Sequence, residues 1–191
     1  KGISDAFNKG IKMASGTLIG LINADDELLP ETSEILKNEC KKIDVDIYYG
    51  NCYWVDSERN LEYVSKPKHD LSKLLYNMVL IHPSTFVKKK AYEECGLFDV
   101  TYKYCMDKEL LYRMYKAGKK FDYIDRCLTK FKAGGVSDTH SKAVFKEGSR
   151  MALSYGESQI KVKSIEIIKT VRNQMVNMIK ETRVYRVLKG I

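Results

Sequence analysis

Leu18-Ile19-Gly20-Leu21-Ile22-Asn23-Ala24-Asp25-Asp26-Glu27 is a short apolar run of strand length that stops abruptly at three acidic residues. Buried strands of α/β proteins have this pattern, and ligands of such folds collect beyond the carboxyl ends of the strands. Carboxylates at that place can hold a hard divalent cation against a phosphate-bearing substrate. The same residues also suit a strand followed by an acidic turn, with Asp26 or Glu27 serving a loop or a helix start.

Outward from this stretch the pattern alternates. Residues 3–15 carry Ile3, Phe7, Ile11 and Ala14 near one helical face, with Ser4 placed to cap and Gly16 to stop. Glu31 to Lys42 reads as a second helix after Pro30. Residues 46–55 are aromatic and β-branched and read as a strand, 56–60 as a turn, and 61–65 as its hairpin return. A short helix near Leu71–Tyr76, a strand at Ser84–Val87 and a helix at Lys89–Cys95 closed by Gly96 follow. Residues 106–117 form the clearest later helix, with Met106, Leu110, Leu111 and Met114 on one face. Phe121–Ile124 and Leu128–Phe131 read as two strands, 133–140 as a small-residue loop, and the chain from 141 as helix. The alternation predicts an α/β domain with a mainly parallel sheet flanked by helices.

Composition narrows the function. The 191 residues, 44% hydrophobic and 30% charged, suit one domain with an appendage, and no run is long and apolar enough to span a membrane. Five cysteines are odd in number and widely spaced, which predicts reduced thiols in a cytosolic protein and argues against zinc. The net charge is +8, but residues 157–191 hold eight Lys or Arg against three Glu and so carry +5 of it. A basic appendage on a near-neutral body fits that distribution better than a nucleic-acid binder does. No RNA- or DNA-binding motif accompanies it, and the tail has few aromatic residues for stacking.

Several motifs occur in fixed order: Gly2-Ile3-Ser4-Asp5-Ala6-Phe7-Asn8-Lys9-Gly10-Ile11, Gly16 to Asp26, His82-Pro83-Ser84-Thr85-Phe86, Gly96-Leu97-Phe98-Asp99, Met106-Asp107-Lys108-Glu109-Leu110 and Gly134-Gly135-Val136-Ser137. The series resembles the family 2 glycosyltransferases of GT-A fold, in particular the bacterial group that builds exopolysaccharide, capsule and O-antigen. The resemblance covers about residues 1–140 and implies a GT-A domain lacking its first strands, with 141–191 as a basic amphipathic helical tail.

The resemblance also implies roles. The metal motif of the family falls on Asn23-Ala24-Asp25, with Asn23 in place of the first Asp, so Asp25 becomes the ligand of Mg²⁺ or Mn²⁺. Asn23, Asp26, Asp5, Asn8 and Lys9 are implied on the donor side; the last three equally suit a solvated helix face. Asp107 takes the place of the catalytic base, although an acid at a helix start is also simply stabilised there by the helix dipole. His82 and Glu109 are implied on the acceptor or sugar side; His82 before Pro83 also suits an ordinary turn. His140 matches a metal-shell histidine only loosely and is not counted. The Gly134-Gly135 loop suits a lid over the donor or a plain connection.

The implied reaction is inverting transfer of a sugar from a nucleotide-sugar donor, a UDP-sugar first, to a saccharide or lipid-linked hydroxyl. The Q-x-x-R-W signature of processive synthases is absent from the sequence, which favours single addition. The implied location is cytoplasmic, peripheral at the inner face of the membrane. The tail suits an anionic membrane surface, packing on the catalytic domain, or a second subunit in a homodimer. A non-catalytic binding or scaffold module of the same fold is the alternative from another class.

Overall fold

The computed structural model describes residues 2–41, 44–57, 60–134 and 140–181. The chain divides into two compact units, Lys1–Gly135 and Val136–Ile191.

The first unit begins with α1 (Ile3–Met13), β1 (Leu18–Gly20), β2 (Glu27–Leu28), α2 (Thr32–Glu39), β3 (Ile47–Asp56) and β4 (Leu61–Ser65). Short 3-10 turns at Leu71–Leu75 and His82–Ser84 lead into β5 (Thr85–Lys88), α3 (Lys89–Cys95), α4 (Met106–Lys116) and β6 (Phe121–Lys132). The strands form one sheet in the order β1-β5-β3-β6-β2, with β4 on β3.

The expected α/β class holds, but the sheet is mixed rather than mainly parallel. Among the described strands, β3 and β6 pair parallel, and the remaining neighbours are antiparallel. Chain geometry explains the difference. β3 ends at Asp56 and β4 begins at Leu61, a link too short for parallel pairing, whereas β3 reaches β6 through a long crossover that includes α3 and α4.

One face of the sheet packs on α2, where Leu36 meets Tyr48, Phe86, Ile124 and Leu128. Thr32 Oγ1 donates to the Leu128 carbonyl and fixes the first turn of α2 to β6. The other face meets α4, whose Leu110 and Leu111 share a cleft with Thr85 and Val87 of β5.

Several local expectations change. Ser4 does not cap α1: Gly2, at φ 101°, precedes the helix, while Ser4 is buried inside it and donates to the Tyr102 carbonyl at 3.1 Å. The two strands expected at 121–124 and 128–131 are one strand, because Asp125 and Arg126 form a bulge rather than a break. Gly50 pairs with Ile124 and Asn51 with Cys127, so two residues of β6 lie between consecutive partners. Gly50 is required there: a Cβ would stand 2.6 Å from Leu128 Cδ1 and 2.9 Å from the Arg126 carbonyl oxygen. β2 is an addition that the acidic pattern of 25–27 concealed.

The second unit holds α5 (Ser141–Ser154) and α6 (Gln159–Glu181). Ser149 Oγ bonds Glu166 at 2.8 Å and Asn173 Nδ2 donates to Ser141 Oγ at 3.1 Å, so the two helices lie against each other. Ile160, Ile167, Ile168, Val171, Met175 and Met178 of α6 are exposed. No helix of the described residues is long and apolar enough to cross a membrane. Most of the glycine loop, residues 135–139, and the tail beyond 181 lie outside the described residues.

Candidate active site

β1 runs alongside β5, so the chain leaves the sheet at Gly20, opposite Phe86. It then turns sharply: Asp26 N–H donates to the Asn23 carbonyl at 3.1 Å. The two neighbouring aspartates are placed very differently. Asp25 is exposed. Asp26 is buried; its carboxylate accepts Asn23 Nδ2 at 2.9 Å and the Lys132 N–H at 3.2 Å. Burial raises its pKa above the ordinary aspartate value, against the opposing pull of those two hydrogen bonds. Asp26 therefore pins the turn to the end of β6, and Asn23 is spent on holding Asp26.

A cleft on the α4 face holds two of the other predicted residues, His82 and Asp107. Leu21, His82, Thr85, Phe98 and Asp107 line it. Asp107 stands in the first turn of α4, half-buried, and its Oδ1 accepts the Lys108 N–H at 2.7 Å. The His82 ring stacks on Phe7 of α1 with centroids 5.5 Å apart and planes at 24°. Its Nε2 is buried and finds no hydrogen-bond partner among the described residues. His82 also lies within electrostatic reach of Asp26, which links the cleft to the turn.

Other candidates stand apart from the cleft. Asn8 is bound to the backbone of Phe98 in both directions at 2.9 Å. Lys9 pairs with Asp5 at 3.0 Å on the outer face of α1, and that contact lowers the Asp5 pKa. Glu109 is buried and holds Arg113 through two bonds of 3.0 and 2.9 Å. Arg113 in turn donates to the carbonyls of Cys95 and Leu97, so the pair supports the loop after α3. His140 is exposed at the N-terminal end of α5. Phe7 was missed as the support of His82, and its place on the buried face of α1 was the available signal.

Does this arrangement fit a divalent cation? Among the described residues no group of three or more His, Cys, Asp or Glu could hold a metal ion. One exposed carboxylate, Asp25, stands at the strand exit, while its neighbour is withdrawn into the fold. Mg²⁺ is usually held by one or two carboxylates together with substrate phosphates. The donor set fits an ion that arrives with a diphosphate and does not fit a closed protein cage. The five cysteines are free, and burial pushes the Cys52 thiol up to about 12.

A model for Glycosyl transferase family 2 matches residues 1–111, more than half of the 191. An uncharacterized glycosyltransferase of Methanocaldococcus jannaschii is 28% identical over 131 residues, 65% of this chain and 45% of its own length. The structure of S. aureus TarS 1-349 superposes with a TM-score of 0.60 at 14% identity, covering 99% of this chain and 57% of that one. The same TarS with UDP covers 97% and 56% at a TM-score of 0.59 and 14% identity. Its complex with UDP-GlcNAc covers 98% and 58% at a TM-score of 0.59 and 13% identity. The chain thus spans about half the length of these relatives, and at such identities the structural likeness shows the fold alone. Sheet, helices and matched segment agree with the GT-A expectation, and the chain belongs to glycosyl transferase family 2.

Proposed function

We propose that the chain carries the catalytic domain of an inverting, metal-dependent glycosyltransferase that moves a sugar from a nucleotide-sugar donor to a saccharide or lipid-linked hydroxyl. The observation that carries this reading is the cleft whose wall includes Leu21, two residues before Asn23, together with His82 and Asp107. Half-buried Asp107, at a helix start, shares that wall with the residue that leads into the turn of exposed Asp25.

In this reading Asp25 would hold a Mg²⁺ or Mn²⁺ ion, which would supply positive charge to the diphosphate leaving group. Asp26 and Asn23 set the turn that presents Asp25. Asp107 accepts the proton of the attacking hydroxyl. His82 Nε2, buried without a partner, is left for a substrate group, since an unmet buried polar atom costs about 1–3 kcal/mol. Glu109 and Asn8 act by holding the loops around the cleft and not by touching sugar. The donor is taken to be a UDP-sugar because TarS structures contain UDP and UDP-GlcNAc. The exposed apolar stripe of α6, with Lys161, Lys163 and Arg172 on the same helix, supports contact with an anionic membrane surface.

Thermal unfolding of the chain with Mn²⁺ and UDP, GDP or their sugar conjugates tests the reading. A ligand that binds the folded state raises the midpoint. A metal-dependent rise with one nucleotide, lost in Asp25→Ala, is the expected result. A rise that persists without metal or in Asp25→Ala would remove Asp25 from the site. No rise with any nucleotide would favour the scaffold alternative.

A further inference from the structure

Three aromatic side chains form a row across three neighbouring strands. Trp54 of β3 stands opposite Tyr63 of β4 on one side and Phe131 of β6 on the other. Ring centroids are 6.3 Å apart for Trp54 and Tyr63, with planes at 21°, and 4.6 Å apart for Trp54 and Phe131. An aromatic row of this kind normally belongs to a core. Here Tyr63 is 53% exposed, and Trp54 and Phe131 are half-buried.

The position of the row is informative. Side chains two apart on a strand share a face. Phe131 therefore lies on the face of Thr129, whose hydroxyl meets Ser84 of the His82–Ser84 turn. That face is opposite the one where Leu128 packs on α2. The residue after Phe131, Lys132, gives its N–H to Asp26. With strands about 4.8 Å apart, the row spans about 10 Å, comparable to a disaccharide.

Pyranose rings have a C–H face, which packs flat on aromatic carbon, and an edge of hydroxyls, which seeks hydrogen-bonding groups. An open row of rings with the exposed Tyr63 phenol at one end matches both demands. A lipid chain would call for a deep groove instead. We propose that the Tyr63–Trp54–Phe131 row is a saccharide platform on which the acceptor glycan lies, with its reacting hydroxyl directed to the cleft of His82 and Asp107. This rests on the glycosyl-transfer reading and narrows the acceptor to an oligosaccharide.

Trp54 is the single tryptophan of the chain, so its fluorescence reports on the platform directly. The full chain is titrated with cello-, chito- and laminari-oligosaccharides while Trp54 emission is followed. The expected result is a saturable change with at least one series, weakened roughly tenfold or more in Tyr63→Ala. Tyr63 is exposed, so the unfolding midpoint of that variant stays near the original. No response to any series, or an equal response in Tyr63→Ala, overturns the platform. The Mn²⁺-nucleotide midpoint is measured on the same samples: a nucleotide shift without a saccharide response removes the platform alone. Absence of the nucleotide shift removes the transfer reading and leaves the saccharide result to stand or fall by itself.

Discussion

Asn8 and Phe98 clasp each other across 90 residues of sequence: Asn8 Nδ2 donates to the Phe98 carbonyl and the Phe98 N–H donates to Asn8 Oδ1, both at 2.9 Å. The Phe98 ring lies 5.6 Å from Phe7, and Phe7 stacks on His82. A side chain expected to border the nucleotide thus acts two contacts away, by fixing the loop that backs the cleft. Asn8→Ala leaves a partly buried donor and acceptor unmet. It should lower unfolding stability by about 1–3 kcal/mol in urea titration. Below its melting range, the variant should keep the nucleotide affinity of the parent. A clear loss of affinity in well-folded Asn8→Ala would return Asn8 to the donor side.

This residue shows where sequence reading stops. Helix and strand periodicities recovered nearly every element, since α1, α4 and β3 follow their apolar spacing with few exceptions. The ordered motifs led to the right family. Patterns of this kind say which residues are polar near a ligand site, but not which of them are already satisfied. Asp25 and Asp26 are neighbours with the same side chain, yet one is exposed and the other is pinned by a strand 106 residues away. The parallel share of the sheet was also illegible, because strand direction depends on how connections cross and not on composition. The bulge at Asp125 was read as a gap between two strands because charged Asp125 and Arg126 interrupt the strand pattern.

Glu109 and Arg113 make a second long-range prediction. Their paired bonds are largely withdrawn from water, with 7% of the Glu109 and 27% of the Arg113 side chain exposed. Arg113 also closes on the carbonyls of Cys95 and Leu97, around Gly96 at φ 85°. Removing one partner strands a charge. Glu109→Ala should therefore destabilise the fold by about 3 kcal/mol, while a double change of both residues to apolar ones costs less than the sum. Denaturant unfolding of the double-mutant cycle measures this. A direct sugar contact by Glu109 would instead appear as a loss of acceptor affinity with stability unchanged.

Asp125 gives a prediction in pH. It accepts hydrogen bonds from Tyr123, Asn51 and Lys66, led by Tyr123, and its pKa falls from the ordinary 3.8 to about 2. Between those values the unfolded chain binds more protons, so the contribution is present above 3.8 and is lost as pH falls toward 2. Carboxyl NMR titration should find Asp125 near the lower value and shifted upward in Tyr123→Phe. Asp125→Asn should lose less stability than the parent between pH 5 and pH 3. An Asp125 titration at the ordinary value would sever it from this network.

Asp107 separates chemistry from structure most sharply. An acid in the first turn of a helix contributes about 0.3–1 kcal/mol through the helix dipole, whatever else it does. Asn can still accept the Lys108 N–H that Asp107 now receives, so Asp107→Asn should fold with little loss of stability. If Asp107 takes the proton from the acceptor, the same change should slow transfer about 10²–10⁴-fold. The metal-dependent nucleotide shift should persist in this variant, since the proposed ion site is Asp25. Donor turnover in the presence of acceptor, with the midpoint shift measured alongside, distinguishes the roles. Parent-like turnover in a folded Asp107→Asn would leave the carboxylate as a helix-start acid alone and move the search for the base to the rest of the cleft wall.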